Sequence, residues 1–112
     1  MKTQYMIGLA ASALLLASPA ARAATGAENW TQACATCHGA DGAGHTKIGK
    51  RLGVKDLTDA AYQKTFTDDQ LFDHLKNGET EADGKVKMKP FSDKLSDDDL
   101  KAVVAYVRSL AK

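Results

Sequence analysis

The sequence predicts a small all-α domain whose loops wrap around a bound group. Three segments combine a helix-start signal with apolar residues at helical spacing. No long stretch alternates apolar and polar residues, so no extended strand is predicted. Five of the nine glycines fall within residues 39–53, which is too many for a long regular element.

The start of the chain has the three parts of a secretory signal peptide. Lys2 supplies a positive charge, residues 6–17 are an apolar run, and Ala21 and Ala23 form an A-x-A cleavage site. The apolar run is too short for a membrane span, which needs about 20 residues. We therefore predict that residues 1–23 are a cleaved signal peptide rather than a retained anchor.

Cleavage would leave one domain over residues 24–112, exported to the periplasm and without a stable membrane anchor. The full chain has a formal net charge of +1, and the leader removes Lys2 and Arg22, so the domain is close to neutral. A near-neutral domain gives no reason to expect nucleic acid as a partner. Because so small a domain buries a modest core, a bound cofactor would help to stabilise it.

The first predicted helix begins at Thr25, which can form a capping box with Glu28. Helical spacing then places both cysteines of the chain on one face together with two apolar residues. The residues of this face are Ala27, Trp30, Cys34 and Cys37.

Two further helices are predicted downstream, each with its own start signal. One begins at Thr67, has Gln70 at the box position and ends near Gly78. The other begins at Ser96 and opens with three aspartates, which suit the positive end of a helix dipole. Its apolar stripe consists of Leu100, Val103, Val104, Val107 and Leu110.

The remaining segments are predicted to be short or irregular. Residues 58–65 are expected to form a short helix behind Thr58. Residues 79–90 are expected to form a loop, in which Asp83 and Gly84 make a turn.

The two cysteines stand in a C-x-x-C arrangement, which serves several chemistries. A thioredoxin-type dithiol would open a helix after a strand, whereas this pair ends its helix and follows no predicted strand. A structural zinc site needs four ligands, and His45 and His74 are at spacings that match no common zinc motif. A disulfide between such close cysteines would constrain the unfolded chain little.

Haem attachment explains three neighbouring residues together, because C-x-x-C-H is the attachment motif for c-type haem. Helix positions i and i+3 lie about 5–6 Å apart between Cβ atoms, so Cys34 and Cys37 can each form a thioether with one haem. His38 follows directly and can approach the iron from one face. We therefore predict one covalently bound haem c, with Cys34 and Cys37 binding the cofactor and His38 the metal.

The opposite face of the iron would be open or would bind a sixth ligand, for which three side chains are candidates. Met88 is the only methionine after the leader, and it lies just before Pro90, whose fixed geometry can hold a ligand. Its lysine neighbours are a poor context for ordinary core packing. His45 lies in the glycine-rich loop, and His74 lies on the polar side of its helix. We predict Met88 as the second metal ligand.

With these residues placed, the chain resembles a class I c-type cytochrome of the small, soluble, bacterial kind. The resemblance rests on the C-x-x-C-H motif at residues 34–38, on residues 88–91, and on Gly26 and Trp30 before the motif. It implies the cytochrome c fold, with three main helices and loops wrapped around one covalently attached haem. It also implies that Gly26 and Trp30 pack the first helix across the last, next to Tyr106.

The chain departs from this family in two places. The family commonly has G-P-x-L-x-G after the attachment site, and its proline carbonyl accepts the N–H of the proximal histidine. This chain has Lys50 at the proline position between Gly49 and Leu52. A backbone carbonyl can still accept that bond, but without the proline the loop is less rigid, and the acceptor is left unassigned. The second departure is Lys89, which separates Met88 from its proline.

The resemblance implies a one-electron carrier between transient redox protein partners, a donor and an acceptor, and not an enzyme. Histidine and methionine ligands stay on the iron in both oxidation states, and a thioether raises the potential. An apolar pocket acts in the same direction. The expected pocket residues are Leu52, Leu57, Phe66, Leu71, Leu75, Phe91 and Leu95. Two alternatives stay open, namely a haem subunit of a larger dehydrogenase and a ligand sensor or peroxidase with an open iron.

Basic residues flank the two loops expected to border the haem. We expect them to form a face that steers docking on an acidic redox partner. The alternative is a solvated lysine-rich surface with no partner. The residues are Lys47, Lys50, Arg51, Lys55, Lys85, Lys87 and Lys89.

Overall fold

The computed structural model describes residues 24–112, and the predicted signal peptide, residues 1–23, lies outside the described residues. Helices dominate residues 24–112, and the only sheet in this range has two short strands. The predicted all-α class is therefore confirmed. Within the same range, no helix is both long and apolar enough to cross a membrane.

The first helical stretch consists of three consecutive segments. These are helix α1 (Gly26–Asn29), a π-helical turn (Trp30–Cys34) and helix α2 (Ala35–His38). The stretch begins where the sequence predicts, because the Thr25 hydroxyl accepts a hydrogen bond from the Glu28 amide at 3.1 Å. The same hydroxyl donates to the Glu28 carboxylate at 3.2 Å, in place of the reciprocal backbone bond of a full capping box.

The π-helical turn is a departure from the regular helix that the sequence predicts. The Ala35 amide donates to the Trp30 carbonyl, so the turn holds one residue more than an α-turn. The extra residue rotates the chain after the turn relative to the chain before it. Of the four residues predicted to share one face, Trp30 and Cys34 are buried, Cys37 is partly buried and Ala27 is exposed.

Four more helices follow along the chain. They are α3 (Lys47–Leu52), α4 (Ala60–Gln63), α5 (Asp68–Asn77) and α6 (Asp97–Ser109). Full capping boxes begin α5 and α6 behind Thr67 and Ser96, as predicted. The expected short helix after Thr58 is α4, whose N-cap is Asp59.

The glycine-rich stretch contains the short helix α3, which the sequence did not predict. The Thr46 hydroxyl accepts from the Gly49 amide at 2.8 Å and so begins the helix. Gly53 ends it in the left-handed conformation, with a φ of 68°. The stretch holds no long element, which agrees with its composition.

The expected loop at residues 79–90 is a β-hairpin, so that prediction was incomplete. Strands β1 (Glu79–Thr80) and β2 (Val86–Met88) are antiparallel, and Glu79 pairs with Met88. The predicted turn is present, because Gly84 has a φ of 85° and its amide donates to the Glu81 carbonyl at 2.9 Å. The strands are too short to show a period-2 pattern in the sequence.

Helix α6 lies at the centre of the core. Its Leu100, Val103 and Val107 side chains are at most 1% exposed, and both α1 and α5 pack against it. A Cβ atom on Gly26 would collide with the Ala102 carbonyl oxygen, so only glycine permits this close crossing of α1 and α6. The ring centroids of Trp30 and Tyr106 are 5.5 Å apart at the same crossing. The predicted packing of the first helix across the last is confirmed.

Candidate haem-binding site

The two cysteines lie at the end of the first helical stretch with free thiols. Cys34 is buried and Cys37 is partly buried. Burial, and next the neighbouring Cys37, raise the pKa of the Cys34 thiol to about 11. Because the thiolate is the reactive form, Cys34 is a poor residue for thiol–disulfide exchange at neutral pH. The environment of the pair therefore does not favour a dithiol redox centre.

A zinc site is not formed by these residues. Among residues 24–112, no group of three or more histidine, cysteine, aspartate or glutamate side chains is arranged to hold a metal ion. His45 is exposed, on the surface of the loop that follows the motif. The histidines that could complete a zinc site with the cysteines therefore do not converge on them.

His38 ends helix α2 directly after the cysteine pair. Burial, and next the neighbouring His74, lower the pKa of the His38 imidazole below its usual range. The neutral imidazole is therefore the dominant form at pH 7, and this form has the free lone pair that binds a metal. Two free thiols and one neutral imidazole, in this order, fit the protein side of a c-type haem site.

The chain turns away sharply after His38 and is held by three hydrogen bonds. Gly39 ends the helix with a φ of 85°, and the Gly44 amide donates to the His38 carbonyl at 2.8 Å. The Thr46 hydroxyl donates to the Cys37 carbonyl at 2.6 Å. The Trp30 indole Nε1 donates to the Gly39 carbonyl at 3.0 Å. These bonds fix the backbone on both sides of the imidazole.

Sequence reasoning did not identify Thr46 as part of this site. Thr46 begins helix α3 and binds the Cys37 carbonyl with the same hydroxyl, so it joins α3 to the attachment motif. Gly49 completes this contact, because a Cβ atom there would collide with the Cys37 carbonyl oxygen. The threonine, three residues before a glycine in the loop, was the available sequence signal.

The His38 ring lacks the usual hydrogen-bond acceptor in the described part of the chain. The Nδ1 atom of His38 is buried and has no hydrogen-bond partner among residues 24–112. The acceptor that the sequence left open is therefore not found among these residues. Lys50 occupies the position of the family's proline, whose carbonyl usually accepts this hydrogen bond, and the bond is missing here. Among residues 24–112, one other buried side-chain nitrogen, Nδ2 of Asn29, has no hydrogen-bond partner.

The three candidates for the sixth ligand have different surroundings. Met88 is partly buried and packs against the hydrophobic core. His74 lies on α5, its side chain is 41% exposed, and its Nε2 is 3.5 Å from a Glu79 carboxylate oxygen. His45 is exposed. Of the three, Met88 alone has an apolar environment suited to a thioether ligand.

Met88 is held by the end of helix α5. It pairs with Glu79 across the hairpin, and a Cβ atom on Gly78 would collide with the Met88 carbonyl oxygen. Just beyond Met88, the Phe91 amide donates to the Leu75 carbonyl at 3.0 Å. The methionine segment is therefore fixed by contacts with α5 on both sides.

Most of the predicted pocket residues lie at the core. Leu75 is buried, and four others pack against the buried cluster: Leu57, Leu71, Phe91 and Leu95. Phe66 instead contacts Tyr62, with ring centroids 5.5 Å apart, and lies 4.6 Å from the Arg108 guanidinium. Leu52 is partly buried on α3 and is not among the residues that pack against the cluster.

The predicted basic residues lie at the surface of the same two loops. All are exposed except Lys87, which is half-buried. Among residues 24–112, Lys85 is the only one of the seven within salt-bridge distance of an acid, at 4.0 Å from Asp83. The other six positive charges in this set are therefore not neutralised by neighbouring carboxylates.

Comparisons with known proteins agree with this site. The sequence profile of the family described as cytochrome c oxidase, cbb3-type, subunit III, matches residues 21–107. Among solved structures, the KustC0563 c-type cytochrome is similar at 32% identity and a TM-score of 0.69, over 80% of this chain and 100% of that chain. A tyrosine-to-phenylalanine mutant of Kustc0563 is similar at 32% identity and a TM-score of 0.66, over 78% of this chain and 99% of that chain. No match was found among curated proteins.

The family match covers the attachment motif, the methionine segment and nearly all of helix α6. They explain why two free thiols and a neutral histidine lie together in a helical domain of this size. A c-type haem supplies reversible one-electron chemistry when it is bound. The chain belongs to the c-type cytochrome family described as cytochrome c oxidase, cbb3-type, subunit III, and its chemistry is haem-based electron transfer.

Proposed function

We propose that this protein is a soluble electron carrier with one covalently attached haem, and that it is not an enzyme. The observation that carries the proposal is the site itself. Two free thiols and a neutral imidazole lie at residues 34–38, and one methionine packs against the core in a segment anchored to helix α5. Such a set can bind haem covalently and occupy both axial positions of its iron.

Cys34 and Cys37 would hold the cofactor. Each thiol would form one thioether bond to a bound haem, so the two residues would attach the cofactor covalently. Cys34 is buried and Cys37 is partly buried, and both thiols are free, so both are available for this attachment. A covalent bond also offsets the modest core of so small a domain.

His38 and Met88 would be the axial ligands. The two are fixed by different parts of the chain, the first helical stretch and the hairpin, so neither depends on the other for its position. Ligands that stay on the iron in both oxidation states keep the rearrangement on electron transfer small. The thioether and the apolar residues near it favour reduced iron and raise the potential.

The exposed basic residues support transient docking on acidic redox partners. Helix α3 with its lysines packs against the attachment motif, and Lys87 and Lys89 flank Met88. The positive charges are thus concentrated beside the residues that would hold the haem. Electrostatic steering of this kind accelerates encounter and weakens with salt. We propose the periplasm as the compartment, since the predicted leader is typical of export.

Two other functions differ in a measurable way. A ligand sensor or peroxidase would need an open sixth position, which the packed Met88 segment does not favour. A haem subunit of a larger dehydrogenase or oxidase is suggested by the family description, which names a subunit. Stable copurification with a second chain would favour that alternative.

Carbon monoxide binding by the reduced holoprotein tests the proposal. A closed iron should bind little carbon monoxide at neutral pH, and the Met88→Ala variant should bind it rapidly because the sixth position is then open. The Lys89→Ala variant is the matched control, because it changes the next residue without removing the thioether. Rapid, tight binding by the unsubstituted protein would show that its sixth position is open.

A further inference from the structure

Trp30 contacts both the His38 ring and the peptide that follows it. The Trp30 and His38 ring centroids are 5.6 Å apart, with an angle of 41° between their planes. The indole Nε1 also donates to the carbonyl of Gly39, the residue directly after His38. One side chain therefore restrains both the imidazole and its backbone.

Among the described residues, no hydrogen bond at Nδ1 orients the His38 ring. A metal-bound histidine usually donates its second N–H to an acceptor, which fixes the orientation of the ring and raises its basicity. The Nδ1 atom of His38 is buried and has no such acceptor within residues 24–112. The backbone bonds at the Cys37 and His38 carbonyls hold the main chain, but they leave rotation of the imidazole about χ1 and χ2 free.

Trp30 is itself immobilised on its far side. It is 2% exposed, and its ring is 5.5 Å from the Tyr106 ring at the crossing of α1 and α6. A Cβ atom on Gly42 would approach the Trp30 ring to 3.6 Å and the Leu110 side chain to 2.6 Å, so the loop also closes over the indole. An indole held in this way gives the imidazole a fixed surface to pack against.

We propose that Trp30 is the positioning residue of His38, in place of a hydrogen-bond acceptor on Nδ1. This inference rests on the proposed role of His38 as an axial ligand. Packing against the indole sets the plane of the imidazole. The hydrogen bond from the indole to the Gly39 carbonyl fixes the backbone directly after His38. Trp30 thereby connects the crossing of α1 and α6 to His38, the proposed iron ligand.

The proposal has a consequence for the electronic properties of the site. An imidazole with no acceptor on Nδ1 is a weaker electron donor than a hydrogen-bonded one, which favours reduced iron. The orientation of its plane then depends on aromatic packing against Trp30. A change at Trp30 should therefore alter the ligand plane even where the fold is kept.

Three variants of the holoprotein test this inference. Trp30→Phe keeps an aromatic ring but removes the Nε1 bond to Gly39, and Trp30→Leu removes both contacts. Tyr106→Phe is the matched control, because it alters the far side of Trp30 without touching His38. The readouts are the hyperfine-shifted haem methyl resonances of the oxidised protein, which report the axial ligand planes, together with the reduction potential and the thermal midpoint.

We expect Trp30→Leu to change the order or spread of the haem methyl resonances and to shift the potential. Trp30→Phe should show a smaller change in the same direction, and Tyr106→Phe should lower the thermal midpoint at most. Wild-type methyl patterns in both Trp30 variants would overturn the inference, as would an equal change in Tyr106→Phe. If Trp30→Leu yields no holoprotein, the comparison of Trp30→Phe with Tyr106→Phe decides.

This test separates the inference from the proposed function. If the unsubstituted protein shows histidine–methionine ligation and the Trp30 variants keep its methyl pattern, only the positioning role fails. If His38→Ala keeps the unsubstituted protein's ligation signals, His38 is not the ligand and the proposed function fails with it.

Discussion

The two sides of the candidate site are built in different ways. The histidine side consists of residues 30–49, where the two thiols, the imidazole and their hydrogen-bonding partners lie within one continuous stretch. The methionine side consists of residues 75–91, where Met88 is held by a hairpin and by the end of helix α5. The histidine side is therefore fixed mainly by local chain geometry, and the methionine side by contacts between elements. We expect loss of the cysteines on the first side to affect cofactor retention, and loss of Met88 on the second to affect the potential and the stability of ligation.

The largest effect is expected from removal of both thioether positions. The double variant Cys34→Ser, Cys37→Ser should lose all haem on denaturation, because no covalent bond remains. A haem stain of the denatured protein after electrophoresis measures this directly. The single variants are the controls, since each keeps one cysteine. Haem that stays with the denatured double variant would show that the attachment lies elsewhere.

Removal of the methionine side chain should leave the haem attached but change its potential. For Met88→Ala we expect a fall of at least about 0.1 V, within the roughly 0.8 V range that axial ligands set. The thioether stabilises reduced iron, so its loss favours the oxidised form. Redox titration of the variant beside Lys89→Ala measures the difference. An unchanged potential would place the sixth ligand at another residue.

The crossing of α1 and α6, next to the histidine side, should be destabilised when a side chain is introduced at residue 26. Gly26→Val would drive a side chain into the Ala102 carbonyl, and overpacking of this kind costs about 1–3 kcal/mol. Denaturant unfolding of the holoprotein gives the change in free energy of unfolding. Ala27→Val is the matched control, because Ala27 is exposed on the same helix and reports the β-branched cost alone. Equal losses in the two variants would contradict the close crossing.

The smallest effect is expected at the surface. Charge reversal in Lys87→Glu, Lys89→Glu should slow electron transfer to an acidic partner by about tenfold at low salt, and the difference should shrink as salt rises. Stopped-flow rates over a salt series measure it. Lys64→Glu controls for net charge, since Lys64 is exposed at the C-cap of helix α4 and belongs to neither loop. Rates and salt slopes that do not change would leave these lysines without a docking role.

The elements that the sequence predicted well are those with local signals. Thr67 with Gln70 and Ser96 with Asp99 form the capping boxes that their spacing indicates. The helix crossing at Gly26 was implied by the family resemblance, and the structure shows that only a residue without a side chain fits there. The attachment motif is local as well, since its three residues act within one turn of chain.

The features that the sequence did not predict depend on tertiary contacts. The π-helical turn at Trp30–Cys34 has no composition signal, and the hairpin strands are too short for a period-2 pattern. The missing acceptor for His38 Nδ1 could not be derived either, since it depends on how the α3 loop packs. The role of Trp30 follows from that packing, although its residue type and position were visible in the sequence.

The oxidised visible spectrum of the holoprotein, recorded beside that of Met88→Ala, tests histidine–methionine ligation most directly. We predict a weak band at the red end of the visible range, which reports the bond between methionine sulfur and iron. The band should vanish on reduction and should be missing from the variant. A spectrum without the band, or a band that persists in Met88→Ala, would contradict the assignment of Met88 to the iron.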